Sequence, residues 1–255
     1  MVEASSLTRM LAVLDVFSLE RPVWTAEAIA GALGYSRPTG YRYVKELVEA
    51  GLLRRLGPGL YSLGARIIHL DYLLRGSDPV LQLAVPEMRE LARRTGCDCV
   101  LSGLYGDQLL DTHRESASEG ALQLAYGRGR LRPLFQGAAP KIILAALPTA
   151  RLKALWEANA ATIAGLGLGA DWPSFRAAMR EIRKRGYAVS IGELEPQLAA
   201  IAAPIGSDDA VVAAVALVAQ RERFALLDQA LLAKLVAQCA ERVTYALGRL
   251  PAAAG

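Results

Sequence analysis

The chain has 255 residues, 53% hydrophobic and 21% charged, with 29 basic against 25 acidic side chains and a formal net charge of +4. That length accommodates two domains able to bury cores, and a mildly basic balance permits a nucleic-acid partner without demanding one. Three cysteines (Cys97, Cys99 and Cys239) exclude a disulfide framework and suit a reducing cytoplasm. The longest apolar run, Ala210 to Ala219, is too short to span a bilayer.

In chain order, Ser6 to Ser18 reads as a helix capped by Ser6, with Met10, Leu11, Val13, Leu14 and Phe17 as its apolar stripe. Charges at Arg9, Asp15 and Glu20 interrupt any leader-like run, so no signal peptide is expected. The stretch from Thr25 to Leu47 organises the chain. Thr25 is suited to cap a short helix with Glu27 in its first turn and Ala28, Ile29, Ala30 and Leu33 on its apolar face. Gly34 can end that helix in the left-handed region. Ser36 then caps a second helix with Pro38 in its first turn, where a missing N–H costs nothing. Val44, Leu47 and Val48 face inward, which leaves Arg37, Thr39, Tyr41, Arg42 and Lys45 outward. This is a helix-turn-helix whose second helix carries cations for phosphates and guanines, and small polar groups for base edges.

Behind it, Leu53 to Leu56 and Leu60 to Leu63 flank Gly57-Pro58-Gly59, a β-hairpin that places Arg54 and Arg55 as a wing on the sugar-phosphate backbone. The DNA-contact set is therefore Thr25, Ser36, Arg37, Thr39, Gly40, Tyr41, Arg42, Lys45, Arg54 and Arg55. Gly40 costs about 1 kcal/mol relative to Ala in a helix interior. It either lets the groove approach or reflects tight packing on the preceding helix. Between Met1 and Arg75 there are nine basic and seven acidic side chains, so the DNA reading rests on placement and not on net charge.

Gly64 to Arg75 reads as a helix with more apolar surface than a small winged domain needs, a face for a partner or a second copy. Gly76 to Pro79 breaks the chain. Asp78 caps a helix over Pro79–Thr95, which Gly96 stops. Strands come next at Cys97–Tyr105, Gln108–Arg114 and Glu119–Tyr126. Gly127 to Leu134 is basic and glycine-rich, and is expected to be a solvated loop. Helices are expected after Gly137, from Thr149 to about Ala160 and over Trp172–Arg185, then a strand at Tyr187–Ile191. Leu198–Ile205 and Ala210–Val218 lack alternation and so read as strands buried on both faces. Phe224 to Arg249 closes the chain as one helix. The fold class is α+β: a winged helix-turn-helix over residues 4–64, a linker helix over 65–78, and an antiparallel-sheet domain over 79–251.

No catalytic set emerges. Ser190, Glu193, Glu195, Asp111 and His113 are the polar groups near strand ends, and no spacing joins them into a triad, an acid/base pair or a metal site. Cys97 and Cys99 alternate onto one strand face, but the chain offers only His69 and His113 as further nitrogen ligands, so no metal and no cofactor are expected. An enzyme acting on a small molecule in the second domain is the alternative function. An adaptor that uses the winged fold for protein contacts is a third.

Six segments in this order, Ser36–Arg42, Leu47–Leu53, Tyr61–Gly64, Gly137–Leu147 followed by Pro148, Arg185–Tyr187 and Ile201–Ile205, resemble the IclR-type transcriptional regulator family. The resemblance covers nearly the whole chain. It implies a GAF-like effector domain, a cytoplasmic homodimer or homotetramer on double-stranded operator DNA, and a small-molecule effector that changes operator affinity. It also implies an effector pocket beside the helix that begins near Gly137. There Gly137, Ala138 and Ala139 can offer backbone N–H groups to a ligand carboxylate, as any helix N-terminus does. Family pattern places further pocket positions at Ser190, Ala200, Ala216 and Val218. Gly137 and Pro140 depart from the family's usual polar turn, and three of those four positions are apolar. The implied effector is therefore an aromatic or medium aliphatic compound, with at most one carboxylate at Gly137 to Ala139.

Overall fold

The computed structural model describes residues 5–117, 128–207 and 210–250. The strand expected at Glu119–Tyr126 lies outside the described residues. The chain divides into two compact units, the first running to Ser77 and the second beginning at Asp78.

In the first unit, α1 spans Ser6–Leu11 and tightens into a 3-10 segment at Ala12–Val16. Its cap is Ser5, one residue earlier than expected, whose hydroxyl accepts from the Thr8 N–H. Ser6 instead meets the Tyr43 hydroxyl at 3.0 Å. Thr25 closes a two-residue strand, β1 (Trp24–Thr25), and also caps α2 (Ala26–Ala32) by accepting from the Ala28 N–H. Gly34 lies beyond it at φ 66°, the left-handed value that turns the chain into α3 (Arg37–Glu49). The hairpin strands β2 (Leu53–Gly57) and β3 (Leu60–Leu63) pair with Arg54 opposite Ser62 and Arg55 opposite Tyr61. The strand β1 adds to the free edge of β3, a third strand too short for sequence periodicity to announce. Val13, Trp24, Ile29, Tyr43, Val44, Leu47, Leu53 and Tyr61 form the core.

Helix α4 (Ala65–Ser77) has no buried residue. Ile68 and Tyr72 are 74% and 73% exposed, and Leu70, Leu73 and Leu74 also face solvent. Burial of such side chains is worth about 1.5–3 kcal/mol each, so α4 is an apolar surface left without a cover in the single chain.

The second unit is a six-stranded antiparallel sheet among the described residues, in the order β6-β5-β4-β9-β8-β7. Its strands are β4 (Asp98–Tyr105), β5 (Gln108–Glu115), β6 (Leu131–Arg132), β7 (Ala188–Ile191), β8 (Leu198–Ser207) and β9 (Ala210–Gln220). One face packs on α5 (Pro79–Thr95) and α10 (Gln229–Gly248) through Leu101, Ile201, Val215, Leu217, Met88 and Val236. The other face is lined by Ala188, Ala202, Ala214 and Ala216 and receives α6 (Ala138–Ala146) through Ala138, Ala139, Ile142 and Ile143. Methyl side chains let that helix lie close to the sheet. Helices α7 (Thr149–Gly165) and α8 (Trp172–Arg185) build a satellite core around Phe175 outside α6. The closing segment is two helices and not one: α9 (Arg221–Leu226) ends at an extended Leu227, and Asp228 caps α10 afresh. No helix among the described residues is long and apolar enough to cross a membrane.

Candidate functional site

The first candidate surface is the outer face of α3 with the hairpin beside it. Ser36 stands at the helix start, but its hydroxyl pairs with that of Thr39 at 2.9 Å instead of with a backbone N–H. Arg37 reaches across to Glu27 at 3.1 Å, both side chains being well exposed. Tyr41 is half exposed, and Lys45 lies 3.7 Å from Glu49. The Arg42 guanidinium sits 5.3 Å from the Tyr43 ring centre. On the hairpin, Arg54 donates to the Ser62 hydroxyl at 3.0 Å. Arg55 donates to the Tyr61 hydroxyl at 3.2 Å, a bond that holds its pKa above the ordinary arginine value. Tyr41, Arg42 and Lys45 share a groove with Arg55 and Tyr61. The Arg37 and Lys45 pairs join exposed side chains, and the hairpin arginines are themselves exposed while resting on buried Ser62 and Tyr61; exposed cations of this kind can serve phosphates.

Gly40 does not belong with that face. It is buried, and a Cβ built on it lies 2.6 Å from the Ala30 Cβ, closer than real side chains approach. The glycine allows α2 and α3 to touch, and the groove-approach alternative falls away.

The second candidate site lies at the start of α6. Gly137 sits at φ 102°, a backbone conformation open to glycine. A Cβ there would stand 3.1 Å from Leu194 and 3.3 Å from the Arg132 guanidinium. The place expected for a ligand carboxylate holds one from the protein. Glu193 accepts from the Gly137 N–H at 3.0 Å and pairs with the Lys141 ammonium. Gln136 donates to the Glu193 carbonyl at 3.0 Å, fixing the loop that carries it. Beside them is a small cavity lined by Arg132, Ser190, Glu193, Leu194, Glu195, Leu198, Ala199 and Ala200.

Of the expected pocket residues, only Ser190 and Ala200 line that cavity. Ala138, Ala139 and Ala216 pack helix against sheet, and Val218 packs with Val100 and Leu198. Cross-strand register puts Ser190, Ala200 and Val218 in one row on the α6 side of the sheet. That face also carries charge, which an apolar reading of four positions overlooked. Asp111 is buried opposite Ser102, whose hydroxyl donates to it at 2.7 Å, and Arg132 approaches its other oxygen at 3.3 Å. Burial pushes the Asp111 carboxyl above its ordinary pKa, against the opposing pull of Arg132 and Ser102. On the neighbouring row Arg114 pairs with buried Asp98 at 3.1 Å.

The basic segment after residue 127 is only in part a solvated loop: Gly129, Arg130 and Pro133 are exposed, but two of its arginines turn inward. Arg128 donates to the Thr112 carbonyl, and Leu131–Arg132 forms β6 against β5, with Arg132 opposite Leu109. Leu109 is two residues before Asp111, so a diagonal reach brings the guanidinium to the carboxylate. Sequence reasoning did not single out Arg132 or Lys141, and it named Glu193 only as an isolated polar group. The available signal was an arginine at the end of a glycine-rich run, beside apolar Leu134 and Phe135.

Of the remaining polar candidates, Ser190 and Glu195 share the cavity with Glu193, and His113 lies outside its lining. His113 pairs with Glu115 at 2.9 Å and Glu195 with Gln197 at 2.9 Å. No group of three or more His, Cys, Asp or Glu among the described residues is placed to hold a metal. All three cysteines are buried; burial pushes the Cys99 thiol well up and the Cys239 thiol up to about 12, so they are inert core groups.

Comparison with known proteins agrees with both halves of this geometry. Residues 6–57 match the IclR helix-turn-helix domain model, and residues 75–245 match that of the bacterial transcriptional regulator IclR C-terminal domain. The HTH-type transcriptional regulator KipR of Bacillus subtilis is 28% identical over 82% of this chain and 83% of its own. XynR of Escherichia coli is 28% identical over 83% and 84%. An IclR-type regulator structure from Silicibacter sp. TM1040 has a TM-score of 0.79 at 25% identity, covering 98% of both chains. An IclR homolog from Microbacterium hydrocarbonoxydans, complexed with 4-hydroxybenzoate, has a TM-score of 0.76 at 25% identity, covering 96% of this chain and all of the other. The families and relatives matched are transcriptional regulators and not enzymes. The chain belongs to the IclR family of transcriptional regulators, with a helix-turn-helix DNA-binding domain and an effector domain.

Proposed function

We propose that this regulator grips operator DNA with α3 in the major groove and the β2–β3 hairpin against the backbone. The observation that carries the reading is the shared groove of Tyr41, Arg42, Lys45 and Arg55, with Arg37 at the helix start. Arg37 and Arg42 are assigned to base edges or flanking phosphates, with Ser36 and Thr39 as small donors at the helix N-terminus. Tyr41 takes bases or backbone; Lys45, Arg54 and Arg55 take phosphates. Thr25 keeps its O–H proton for a phosphate because its oxygen already accepts from Ala28. Helix α4 gives a homodimer its cover, since no residue of α4 is buried in the single chain. The protein acts in the cytoplasm, where buried, protonated thiols are stable.

The effector in this reading is a small, largely apolar or aromatic metabolite bound beside Leu194, Leu198, Ala199 and Ala200. The 4-hydroxybenzoate complex of a relative supports that class.

The test is a fluorescence titration of operator and random duplexes over a range of salt, with wild type, Arg37→Ala and Arg42→Ala. Phosphate contacts release counterions and give a steep salt slope. Each variant is expected to lose about 1–3 kcal/mol on operator DNA if its arginine reads a base. Equal loss on both duplexes assigns it to phosphate. No salt-dependent binding to any duplex would sink the reading. A thermal-shift screen stabilised only by small polar acids would overturn the effector class.

A further inference from the structure

Between Arg176 and Arg185, helix α8 carries five cations and one carboxylate, Glu181. That excess equals the formal net charge of the whole chain, +4, so the rest of the sequence balances. The helix dipole favours cations in a last turn, which accounts for Arg183, Lys184 and Arg185. It does not account for Arg176 or Arg180, which lie further in. Phe175, Met179 and Ile182 pack into the satellite core. Four-residue spacing sets Arg176, Arg180 and Lys184 in one row, about 6 Å apart along the helix axis. Arg180 and Lys184 are exposed and Arg176 is partly so.

This row is not neutralised by its surroundings. Arg89, Arg93, Arg151, Lys153 and Arg242 of the second unit each face a carboxylate. Among the described residues none faces Arg176, Arg180 or Lys184. Arg183 has a partner of its own and is left out of the row, and Arg185 stands 5.7 Å from the Tyr187 ring centre. Of the helices packed on α8, α6 has no acid and the one acid of α7, Glu157, is taken by Lys153. Asp171 is occupied in capping α8. Glu181 is exposed and offsets one charge, but it forms no ion pair among the described residues. The face also lacks an apolar anchor, for α8 exposes no large hydrophobic side chain, in contrast to Ile68 and Tyr72 of α4. Protein partners are gripped by buried aromatic and aliphatic anchors, whereas phosphate backbones are gripped by mobile cations alone.

We propose that α8 is a second phosphate-binding surface, on which Arg176, Arg180 and Lys184 rest against the sugar-phosphate backbone of duplex DNA beyond the operator. This rests on the DNA reading above: the first unit tethers a duplex to the same molecule, so a weak second contact meets phosphate at high effective concentration.

The experiment is a fluorescence titration of the full chain over a range of salt. The probe is duplex DNA from upstream of the chain's own gene, trimmed to the shortest fragment that binds and then extended on both sides with random sequence. Wild type is expected to bind the extended duplex more tightly and with a steeper salt slope. Arg176→Gln/Arg180→Gln/Lys184→Gln should match wild type on the short fragment. On the extended one it should lose roughly tenfold or more at low salt, its slope shallower by about one for each phosphate contact removed. Glu181→Gln should do the opposite and tighten the extended duplex alone. Arg89→Gln/Arg93→Gln/Lys234→Gln removes as many exposed cations elsewhere in the second unit and should leave the gain from length in place. A wild type that gains nothing from length, or an α8 variant that keeps the gain, overturns the α8 assignment and leaves the reading of α3 and the hairpin intact. Equal losses in the two triple variants reduce the effect to net charge and overturn it as well. Absence of salt-dependent binding to either duplex overturns both readings. Polyglutamate bound by wild type and lost by the α8 variant, with DNA affinity unchanged, would overturn DNA as the occupant in favour of an acidic protein. If the α8 variant fails to fold by circular dichroism, Arg180→Gln/Lys184→Gln, at two exposed positions, decides on the same outcomes.

Discussion

Arg37, Arg42, Arg54 and Arg55 of the first unit stand in solvent, whereas Arg114 and Arg132 of the second are turned inward against Asp98 and Asp111. An exposed cation keeps its hydration and can exchange a neighbour such as Glu27 for a phosphate at little cost. A buried cation must bring its counter-charge with it, and the pair then becomes part of the architecture. The difference teaches why a basic run in the sequence does not by itself mark a surface for nucleic acid. The arginines around residue 130 look much like those of the hairpin on paper, yet Arg128 and Arg132 serve the interior of the second unit.

The comparison breaks most sharply at Asp111. Asp111→Ala removes the buried carboxylate that Arg132 and the Ser102 hydroxyl share, and the expected cost is about 3–5 kcal/mol, read from urea unfolding of the full chain. A cost below about 1 kcal/mol would show that the inward pair is as loosely held as the outward ones. Next comes Gly40→Ala, which drives a methyl to 2.6 Å from the Ala30 Cβ. Overpacking of this kind costs about 1–3 kcal/mol, and Ala30→Gly in the same chain should recover much of it. Failure of that rescue would mean that Gly40 matters for something other than the α2–α3 contact. The smallest effect belongs to Glu27→Gln, which releases Arg37. Unfolding stability should change by less than about 1 kcal/mol. Affinity for duplex DNA should rise at low salt, because Arg37 no longer has to leave a carboxylate. An affinity that falls instead would make the Arg37–Glu27 pair a device for orienting the guanidinium.

Helices α2 and α3 were legible because capping residues, a glycine turn and apolar spacing agree over a short stretch, from Thr25 to Leu47. The α4 surface was legible for the same local reason. The polar cluster around Gly137 was not, since its parts come from four places in the chain. Asp111 lies on β5, Arg132 on β6, Lys141 on α6, and Glu193 on the loop after β7. No local rule joins a glutamate to a helix start 56 residues earlier, yet the Gly137 N–H finds Glu193. The charged groups on the same face of the sheet escaped notice for a related reason. Ala216 and Val218 are indeed apolar, but they are packing, while the neighbouring strand on the same face carries Ser102 and Asp111.

The alanines under α6 have a consequence for how such a protein changes over generations. Ala188, Ala202, Ala214 and Ala216 form a floor of single methyl groups on which the helix rests, and Ala200 continues it to the cavity. Protein interiors are close-packed, so the space above such a floor responds to changes of one or two carbons. Exchanging Ala200 for valine or glycine would raise or lower one tile of that floor while leaving strand pairing in place. The shape of the cavity can thus be re-cut by small steps in a sheet whose hydrogen bonds do not need to be rewritten.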